Sequence, residues 1–210
     1  MKSYEQLAAS VVFSRKGDTM SLLAKDPSLQ YVGEGRSAFV FKIKHTQKVI
    51  KVFFPECIVI AKEEAEIYRQ LNDISYFPTL HAEGHNYIVI DYIEGMTLFT
   101  CLTKGKRITK WHIDEIDTAL KLASDKGLNP SDIHLRNIFI TKDEKIMLID
   151  VARFRQRKQC SQWQDLKLAY SNYYSHNLFP KQIPAFILNK IAALYKKNYF
   201  TFLTGRSANI

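Results

Sequence analysis

The chain has 210 residues, of which 46% are hydrophobic and 24% charged, and its formal net charge is +9. This is an ordinary globular composition, and the length suits one compact domain or two tightly packed lobes. The three cysteines are widely spaced and form no CxxC pair, which argues against a zinc ribbon or a disulfide framework and favours the cytoplasm. We expect no transmembrane segment, because no stretch reaches the roughly 18 apolar residues of a membrane span.

The positive charge is concentrated at one end of the chain. Residues 1–150 carry 20 Lys or Arg and 20 Asp or Glu, whereas residues 151–210 carry 10 Lys or Arg and one acid, Asp165. This asymmetry favours an anionic partner for residues 151–210, and a solvated basic face is the alternative. We do not expect nucleic acid to be that partner, because the sequence has no motif that reads a groove.

The first half of the sequence predicts strands around one long helix. Short helical patterns at 4–13 and 19–24 predict that residues 1–29 form a helical extension packed on the next part of the chain. Beyond it the pattern predicts a strand, a glycine-rich turn and a strand within 29–44, a strand at 48–54, an amphipathic helix at 58–71, and two strands within 79–95.

After residue 95 the pattern becomes mainly helical. Helices are predicted at 96–105, 111–127, 163–174 and 184–200, with two short strands within 137–150. The predicted fold is therefore α+β, with a β-rich lobe at 30–94, a connector near 91–95 and an α-rich lobe at 95–210.

A glycine-rich segment, Gly-Glu-Gly-Arg-Ser-Ala-Phe-Val, occupies residues 33–40. Glycines let a backbone approach phosphate groups closely, so that N–H groups face the oxygens. A strand comes directly after this segment, whereas a dinucleotide-binding fold would need a helix there. An ordinary glycine hairpin is the alternative interpretation.

Two charged residues stand in apolar surroundings after this segment. Lys51 lies inside the apolar strand Val49–Val52, where an ammonium group is costly unless it meets an anion. The alternative is an edge-strand lysine whose ammonium group reaches water. The helix at 58–71 offers three candidate anions, Glu63, Glu64 and Glu66, and the resemblance described below favours Glu64.

Three polar residues further along the chain could provide a carboxylate base and oxygen ligands for a metal ion. Asn137 follows Asp132 by five residues, and Asp150 follows Asp132 by 18. Phosphoryl transfer needs a carboxylate near the attacking hydroxyl group and oxygen ligands for Mg²⁺. The alternative is an Asp/Asn turn followed by an unrelated Asp that caps a strand.

Taken in order over residues 32–152, these segments resemble the nucleotide site of the protein-kinase-like superfamily, in particular small bacterial-type serine/threonine protein kinases. The glycine-rich segment corresponds to the loop G-x-G-x-x-G-x-V, with Ala38 in place of the third glycine. The later segments correspond to V-A-I-K, to the helix glutamate, to H-R-D-x-x-x-x-N and to D-F-G. The resemblance implies a two-lobed fold with a five-stranded antiparallel N-lobe that holds one helix, and a short, mainly helical C-lobe.

The resemblance also implies ATP and Mg²⁺ as cofactors and assigns roles to residues. Asp132 would orient the acceptor hydroxyl and take its proton, Lys51 would grip phosphates and pair with Glu64, and Asn137 and Asp150 would hold the metal ion. The expected ATP contacts, besides Lys51 and Glu64, are Val32, Gly33, Glu34, Gly35, Arg36, Ser37, Ala38, Phe39 and Val40, and the connector near Asp91 and Ile93, with Ile90 as gatekeeper.

The sequence also departs from the family pattern. Pro130 and Ser131 replace the histidine and arginine of H-R-D, and no A-P-E segment follows Asp150. His134 gives Asp-x-His-x-x-Asn, which is similar to the catalytic loop of aminoglycoside- and choline-kinase-type enzymes. The acceptor expected is a Ser or Thr hydroxyl of a protein, and a small molecule, sugar or lipid headgroup is the alternative. A non-catalytic kinase-like scaffold is a third hypothesis. Asp165 is the candidate acid that braces the catalytic loop.

Overall fold

The structure is a computed structural model that describes residues 2–17, 19–158 and 160–196. The chain divides into two compact units. The first unit comprises the described residues up to Ile93 together with Asp150–Arg155, and the second comprises Glu94–Ile149 and the described residues from Gln156 onward. The predicted lobes, 30–94 and 95–210, did not assign Asp150–Arg155 to the first unit, and the predicted boundaries stay predictions.

The first unit is built on a five-stranded antiparallel sheet and one long helix. Its elements are α1 (Tyr4–Ala9), β1 (Val12–Lys16), β2 (Thr19–Ala24), β3 (Leu29–Glu34), β4 (Ala38–Ile43), β5 (Lys48–Phe53), α2 (Ile58–Leu71), β6 (Leu80–Glu83) and β7 (Tyr87–Asp91). The sheet order is β3-β4-β5-β7-β6, and each neighbouring pair is antiparallel. The fold class predicted from the resemblance is therefore confirmed.

The prediction of a helix at 19–24 is wrong. Residues 19–24 form β2, which pairs with β1 as a separate two-stranded antiparallel sheet. Met20 and Leu22 are half-buried and alternate with exposed Thr19 and Ser21, which is the two-residue period of a strand. Only α1, where Ser3 and Gln6 form a capping box, is helical in this part of the chain.

Aromatic side chains form the core beneath β4. Phe39, Phe41 and Phe54 are almost completely buried, and the Phe39 ring lies 5.2 Å from Phe54 and 6.4 Å from Phe41, centroid to centroid. Phe13 of β1 adds a further edge contact to Phe54 at 5.5 Å. Edge-to-face rings of this kind pack densely, so the cluster fixes β1 and β4 on one another.

The second unit combines four helices with a small sheet. Its elements are β8 (Gly95–Thr97), α3 (Leu98–Lys104), α4 (Lys110–Asp125), β9 (Ile138–Thr141), β10 (Ile146–Leu148), α5 (Gln162–Ala169), a π-helical turn (Tyr170–Tyr174) and α6 (Ala185–Lys196). The part of the helix predicted at 197–200 lies outside the described residues. No helix in the described part of the chain is long and apolar enough to cross a membrane.

Strand β8 was not predicted, because residues 96 and 97 were assigned to the following helix. Gly95 pairs with Thr141 of β9. A Cβ atom at Gly95 would stand 2.5 Å from the Ile140 carbonyl oxygen, so only glycine allows the two backbones to come this close. Helix α3 then begins at Leu98, where the Thr97 side chain accepts the Thr100 N–H.

The aromatic cluster predicts a large effect of one core substitution. Phe39→Ala removes a ring that is packed on all sides, and we expect it to lower the free energy of unfolding by about 3–5 kcal/mol. Urea unfolding followed by circular dichroism measures the change. Val59→Ala, on the exposed side of α2, is the control and should stay within about 0.5 kcal/mol of wild type. Equal losses in the two variants would contradict the assignment of the core.

Candidate active site

Lys51 stands in the middle of the five-stranded sheet. It lies opposite Val40 of β4 and Ile88 of β7, because β5 is the central strand. Its side chain is only 13% exposed. The interpretation of Lys51 as an edge-strand lysine whose ammonium group reaches water is therefore wrong.

Two carboxylates surround the Lys51 ammonium group within the first unit. Its Nζ lies 2.9 Å and 2.7 Å from the two Glu64 oxygens, and 3.0 Å from Asp150 Oδ1. Burial by itself lowers the pKa of Lys51, but the charges of Glu64 and Asp150 outweigh it and raise the pKa above its ordinary value. Lys51 is therefore a cation at any physiological pH.

Glu64 is the acid of α2 that the fold turns inward. Its side chain is 1% exposed, and it shares the buried face of α2 with Ala61, Ala65 and Tyr68. Its rival Glu66 points elsewhere and pairs with Arg155 Nη1 at 2.5 Å. A buried carboxylate needs a partner, and Lys51 supplies it.

Asp150 has an unusual backbone conformation. Its φ is 60°, in the left-handed region that residues other than glycine seldom adopt. Two contacts hold it there: the ion pair with Lys51 and a 3.3 Å hydrogen bond from its N–H to the Tyr68 hydroxyl. The next residue, Val151, is buried. Strain of this kind persists only where the surroundings impose it, which is typical of functional sites.

Tyr68 is the residue of this site that sequence reasoning missed. Burial, followed by the charges of Glu64 and Asp150, raises the pKa of its hydroxyl group well above the usual value, so the group stays protonated. The signal that could have found it was spacing, because residues four apart share a face of a helix and Tyr68 follows Glu64 by four.

The segment after Asp150 is anchored to the first unit. Phe154 is fully buried, and its ring meets Phe77 edge to face at 6.0 Å. Its N–H donates to the Val151 carbonyl at 2.9 Å. Together with the ion pair from Arg155 to Glu66, these contacts give residues 151–155 a defined position on α2.

The glycine-rich segment forms the turn between β3 and β4. The Gly35 N–H donates to the Ala38 carbonyl at 2.9 Å, and Val32 is the extra residue of a β-bulge. No atom lies within 4 Å of the position that a Cβ would take at Gly33 or Gly35, so the backbone is open to a ligand there. Phe39 faces the aromatic core instead, so it can serve a ligand only through its backbone.

At the end of β7, Asp91 is engaged by its own sheet. Its carboxylate accepts the Thr79 N–H at 2.8 Å and lies 2.6 Å from His81 Nε2. Partial burial raises the pKa of Asp91, but the hydrogen bonds from His81 and Thr79 outweigh this effect and lower it. The predicted contact with adenine therefore rests on the backbone of Asp91 and Ile93.

In the second unit, Asp132 and Asn137 stand at the two ends of one short loop. Asp132 also has a φ of 60°. Asn137 is buried, and its Nδ2 donates to the Asp132 carbonyl at 3.3 Å. Since Nδ2 is the donor, Oδ1 is the Asn137 atom that can ligate a cation.

Polar contacts within the second unit hold this loop from both sides. The Asn137 N–H donates to the His134 carbonyl, and the Ile149 N–H donates to the Asn137 carbonyl, both at 2.9 Å. At the start of the loop, Asn129 Nδ2 donates to the Gln156 carbonyl at 2.7 Å. Ser131, fully buried, donates to the Asn129 carbonyl at 2.9 Å.

Asp165 does not have the predicted role. Its carboxylate accepts hydrogen bonds from the Ser161 hydroxyl at 3.0 Å and from the Tyr195 hydroxyl at 2.7 Å. It therefore ties α5 to α6, whereas Asn129 and Asn137 make the hydrogen bonds that brace the loop at 129–137.

The donor chemistry at Asn137 and Asp150 suits Mg²⁺. An amide oxygen and a carboxylate are hard oxygen ligands, and Mg²⁺ is commonly bound by one or two protein groups together with phosphate oxygens and water. Among the described residues, no three His, Cys, Asp or Glu side chains are grouped so that they could hold a metal ion by themselves. The magnesium assignment thus stays a prediction that depends on bound phosphates.

Comparison with known proteins places the chain in a family. No protein-family model matches it. It is 42% identical over 198 residues to "Putative serine/threonine-protein kinase YrzF" of Bacillus subtilis (strain 168), a match that covers 93% of this chain and 92% of the relative. It is also 30% identical over 141 residues to "Serine/threonine-protein kinase Nek1" of Mus musculus, covering 58% of this chain and 12% of that protein.

A central-strand lysine that pairs with a helix glutamate is the arrangement expected of a kinase-like nucleotide lobe. The match to the Bacillus subtilis protein extends over almost the whole of both chains. The chain belongs to the protein-kinase-like superfamily, and the resemblance predicted from its sequence is confirmed.

The contact between Tyr68 and Asp150 can be tested without any ligand. Tyr68→Phe removes only the acceptor of the Asp150 N–H, and we expect it to lower the free energy of unfolding by about 0.5–1.5 kcal/mol. Chemical denaturation of the two proteins measures the difference. Tyr173→Phe, at an exposed tyrosine of the second unit, should change nothing. The proposed hydrogen bond is wrong if Tyr68→Phe and Tyr173→Phe unfold at the same denaturant concentration.

Proposed function

We propose that the protein is an ATP-dependent phosphotransferase that transfers the γ-phosphoryl group of ATP to a serine or threonine hydroxyl group of a protein. The observation that carries this proposal is the Lys51 ammonium group, whose Nζ lies 2.7 Å from a Glu64 oxygen and 3.0 Å from an Asp150 oxygen. A fixed ammonium group of this kind is how protein kinases grip the phosphates of ATP.

Binding of ATP is the task of the first unit. Lys51 meets phosphate oxygens, and Glu64 keeps its ammonium group in position. The turn at Gly33–Gly35 lets the backbone approach the same phosphates, since neither glycine has a side chain to shield it. The adenine ring is bound by the backbone near Asp91 and Ile93.

Asp150 and Asn137 are the residues that would hold Mg²⁺, the first with its carboxylate and the second with Oδ1. Bound there, Mg²⁺ would supply positive charge to stabilise the phosphates of ATP during transfer. Asp150 is prepared for this role by its fixed backbone, and Asn137 by the hydrogen bond that turns its Nδ2 toward the Asp132 carbonyl.

Asp132 acts on the acceptor. Its carboxylate orients the hydroxyl group and takes its proton as the hydroxyl oxygen bonds to the γ-phosphorus. The bond between that phosphorus and the bridging oxygen breaks at the same time, and the electron pair leaves with ADP. The hydrogen bonds of Asn129, Ser131 and Asn137 keep the loop that carries Asp132 in one conformation.

Two kinds of molecule are candidates for the phosphate acceptor. The names of both relatives contain serine/threonine-protein kinase, which supports a protein acceptor. The second candidate is a hydroxyl group of a small molecule, sugar or lipid headgroup. It is supported by His134 in the pattern Asp-x-His-x-x-Asn, which is similar to the catalytic loop of aminoglycoside- and choline-kinase-type enzymes. Incubation with γ-labelled ATP and Mg²⁺ in cell extract, followed by identification of the labelled product, separates the two.

Binding of Mg²⁺-ATP should stabilise the protein. At a ligand concentration of about 100 times Kd the gain is about 2.7 kcal/mol, which raises Tm. Asp150→Asn should lose most of the Mg²⁺-dependent part of this shift, while Asp143→Asn, at an exposed turn, keeps all of it. A melting temperature that does not move with millimolar Mg²⁺-ATP would exclude nucleotide binding, and with it the proposal.

Asp132→Asn should separate turnover from binding. It removes the proton acceptor but leaves Lys51, Asn137 and Asp150 intact, so we expect phosphoryl transfer to fall by about 10²–10⁴-fold with an unchanged Mg²⁺-ATP thermal shift. Initial rates with γ-labelled ATP measure the first quantity, and thermal melts the second. Full turnover in Asp132→Asn would refute its role, and a wild type with no turnover on any acceptor would favour a non-catalytic scaffold.

A further inference from the structure

Helix α6 is attached to the second unit along one side only. Leu188 is its buried residue. Asn189 accepts a hydrogen bond from Arg136 Nη2 at 2.9 Å, and the Tyr195 hydroxyl donates to Asp165 at 2.7 Å. These three residues define the inward side of the helix.

The opposite side of α6 is apolar and exposed. We call it the outer face, and it consists of Phe186, Ile187, Ile191 and Leu194, which are 71%, 38%, 42% and 39% exposed. Leu178, in the segment that leads to α6, is fully exposed as well. Contiguous exposed apolar side chains of this kind mark an interaction surface.

The charge around the outer face selects the kind of partner. Lys190 lies one helical turn from both Phe186 and Leu194, on the same side. Helix α6 contains no acidic residue, and residues 151–210 of the sequence contain 10 Lys or Arg and a single acid. That acid, Asp165, already accepts two hydrogen bonds. A second copy of the chain would bring like charges together, so the complementary partner is anionic.

We propose that the outer face of α6 binds an anionic lipid surface. A helix of 12 residues, about 18 Å long, lies in the plane of such a surface with its apolar side chains in the headgroup region. Lys190 keeps its ammonium group among lipid phosphates while its methylene groups remain with the apolar side chains. Helix α6 has a lysine among its exposed apolar side chains and no acidic residue, which is the composition of a helix that lies in a membrane interface.

The test uses the full chain and vesicles. Phosphatidylcholine vesicles with and without phosphatidylserine are floated on a density gradient with the protein, and the bound fraction is measured. We expect binding only with phosphatidylserine, and weaker binding as salt increases, because screening shortens the reach of the charges. The readout does not involve phosphoryl transfer, so it is independent of the proposed function.

Two variants separate the apolar and the charged contributions. Phe186→Ser combined with Ile191→Ser should reduce the bound fraction by about tenfold at any salt concentration. Lys190→Glu should reduce it by about tenfold at low salt and less at high salt. The matched controls are Leu23→Ser, at an exposed leucine of β2, and Lys121→Glu, at an exposed lysine of α4, and both should bind as wild type.

Three results would overturn the proposal. The first is no binding to phosphatidylserine vesicles at low salt. The second is binding that the Phe186→Ser/Ile191→Ser variant retains, or equal binding to polyglutamate, which would show that charge alone acts. The third is a dimer in sedimentation equilibrium that this variant dissociates, which would assign the outer face to a second copy of the chain.

Discussion

The buried ammonium group of Lys51 is the constraint on which the arrangement of the first unit depends. A lysine in a central strand is largely withdrawn from water, so its charge must be matched by nearby carboxylates. Glu64, 13 residues away in sequence, and Asp150, 99 residues away, supply that match. The desolvation of a buried ion pair offsets most of its Coulomb attraction, so the triad contributes little net stability. The triad instead fixes positions, because its charges are paired only when β5, α2 and Asp150 lie together as they do here.

Both acidic residues for which we propose catalytic roles have a strained backbone, and among the described residues His45 and Glu144 also have a positive φ. Asp132 and Asp150 both have a φ of 60°, which costs free energy at a residue that is not glycine. At Asp150 the Tyr68 hydroxyl and the Lys51 ammonium hold the residue, and at Asp132 the side chain of Asn137 holds the carbonyl. In both places a neighbouring polar side chain forms a hydrogen bond with the backbone of the strained residue.

The sequence predicted what depends on local pattern. The strands around the glycine-rich turn and helix α2 were predicted from the period of their apolar residues. The roles of Lys51, Glu64, Asp132 and Asp150 were implied by the family resemblance. Strands β2 and β8 were missed because pairing, with β1 and with β9, decides their conformation, and short apolar stretches such as 19–24 fit a helix equally well.

The partners of single polar side chains were also beyond local pattern. Tyr68 looks like any core residue of an amphipathic helix until the segment at Asp150 is placed beside it. Asp165 likewise had the sequence context of a bracing acid, but its partner Tyr195 lies 30 residues further on. Contacts between distant segments are set by tertiary packing, and one sequence carries no direct record of them.

Contacts with other residues of the chain fix the conformation of the segment after Asp150. In protein kinases that are activated by phosphorylation, a phosphate on this segment pairs with arginine. Here the residue before Asp132 is Ser131, which is fully buried and donates a hydrogen bond to the Asn129 carbonyl. It carries no positive charge to pair with a phosphate, and a phosphate could not reach it. Phe154 and Arg155 fix residues 151–155 on the first unit, and Asn129 holds the Gln156 and Lys158 carbonyls in the second. We infer that residues 151–155 and the carbonyls of Gln156 and Lys158 keep these contacts without a phosphate on the segment.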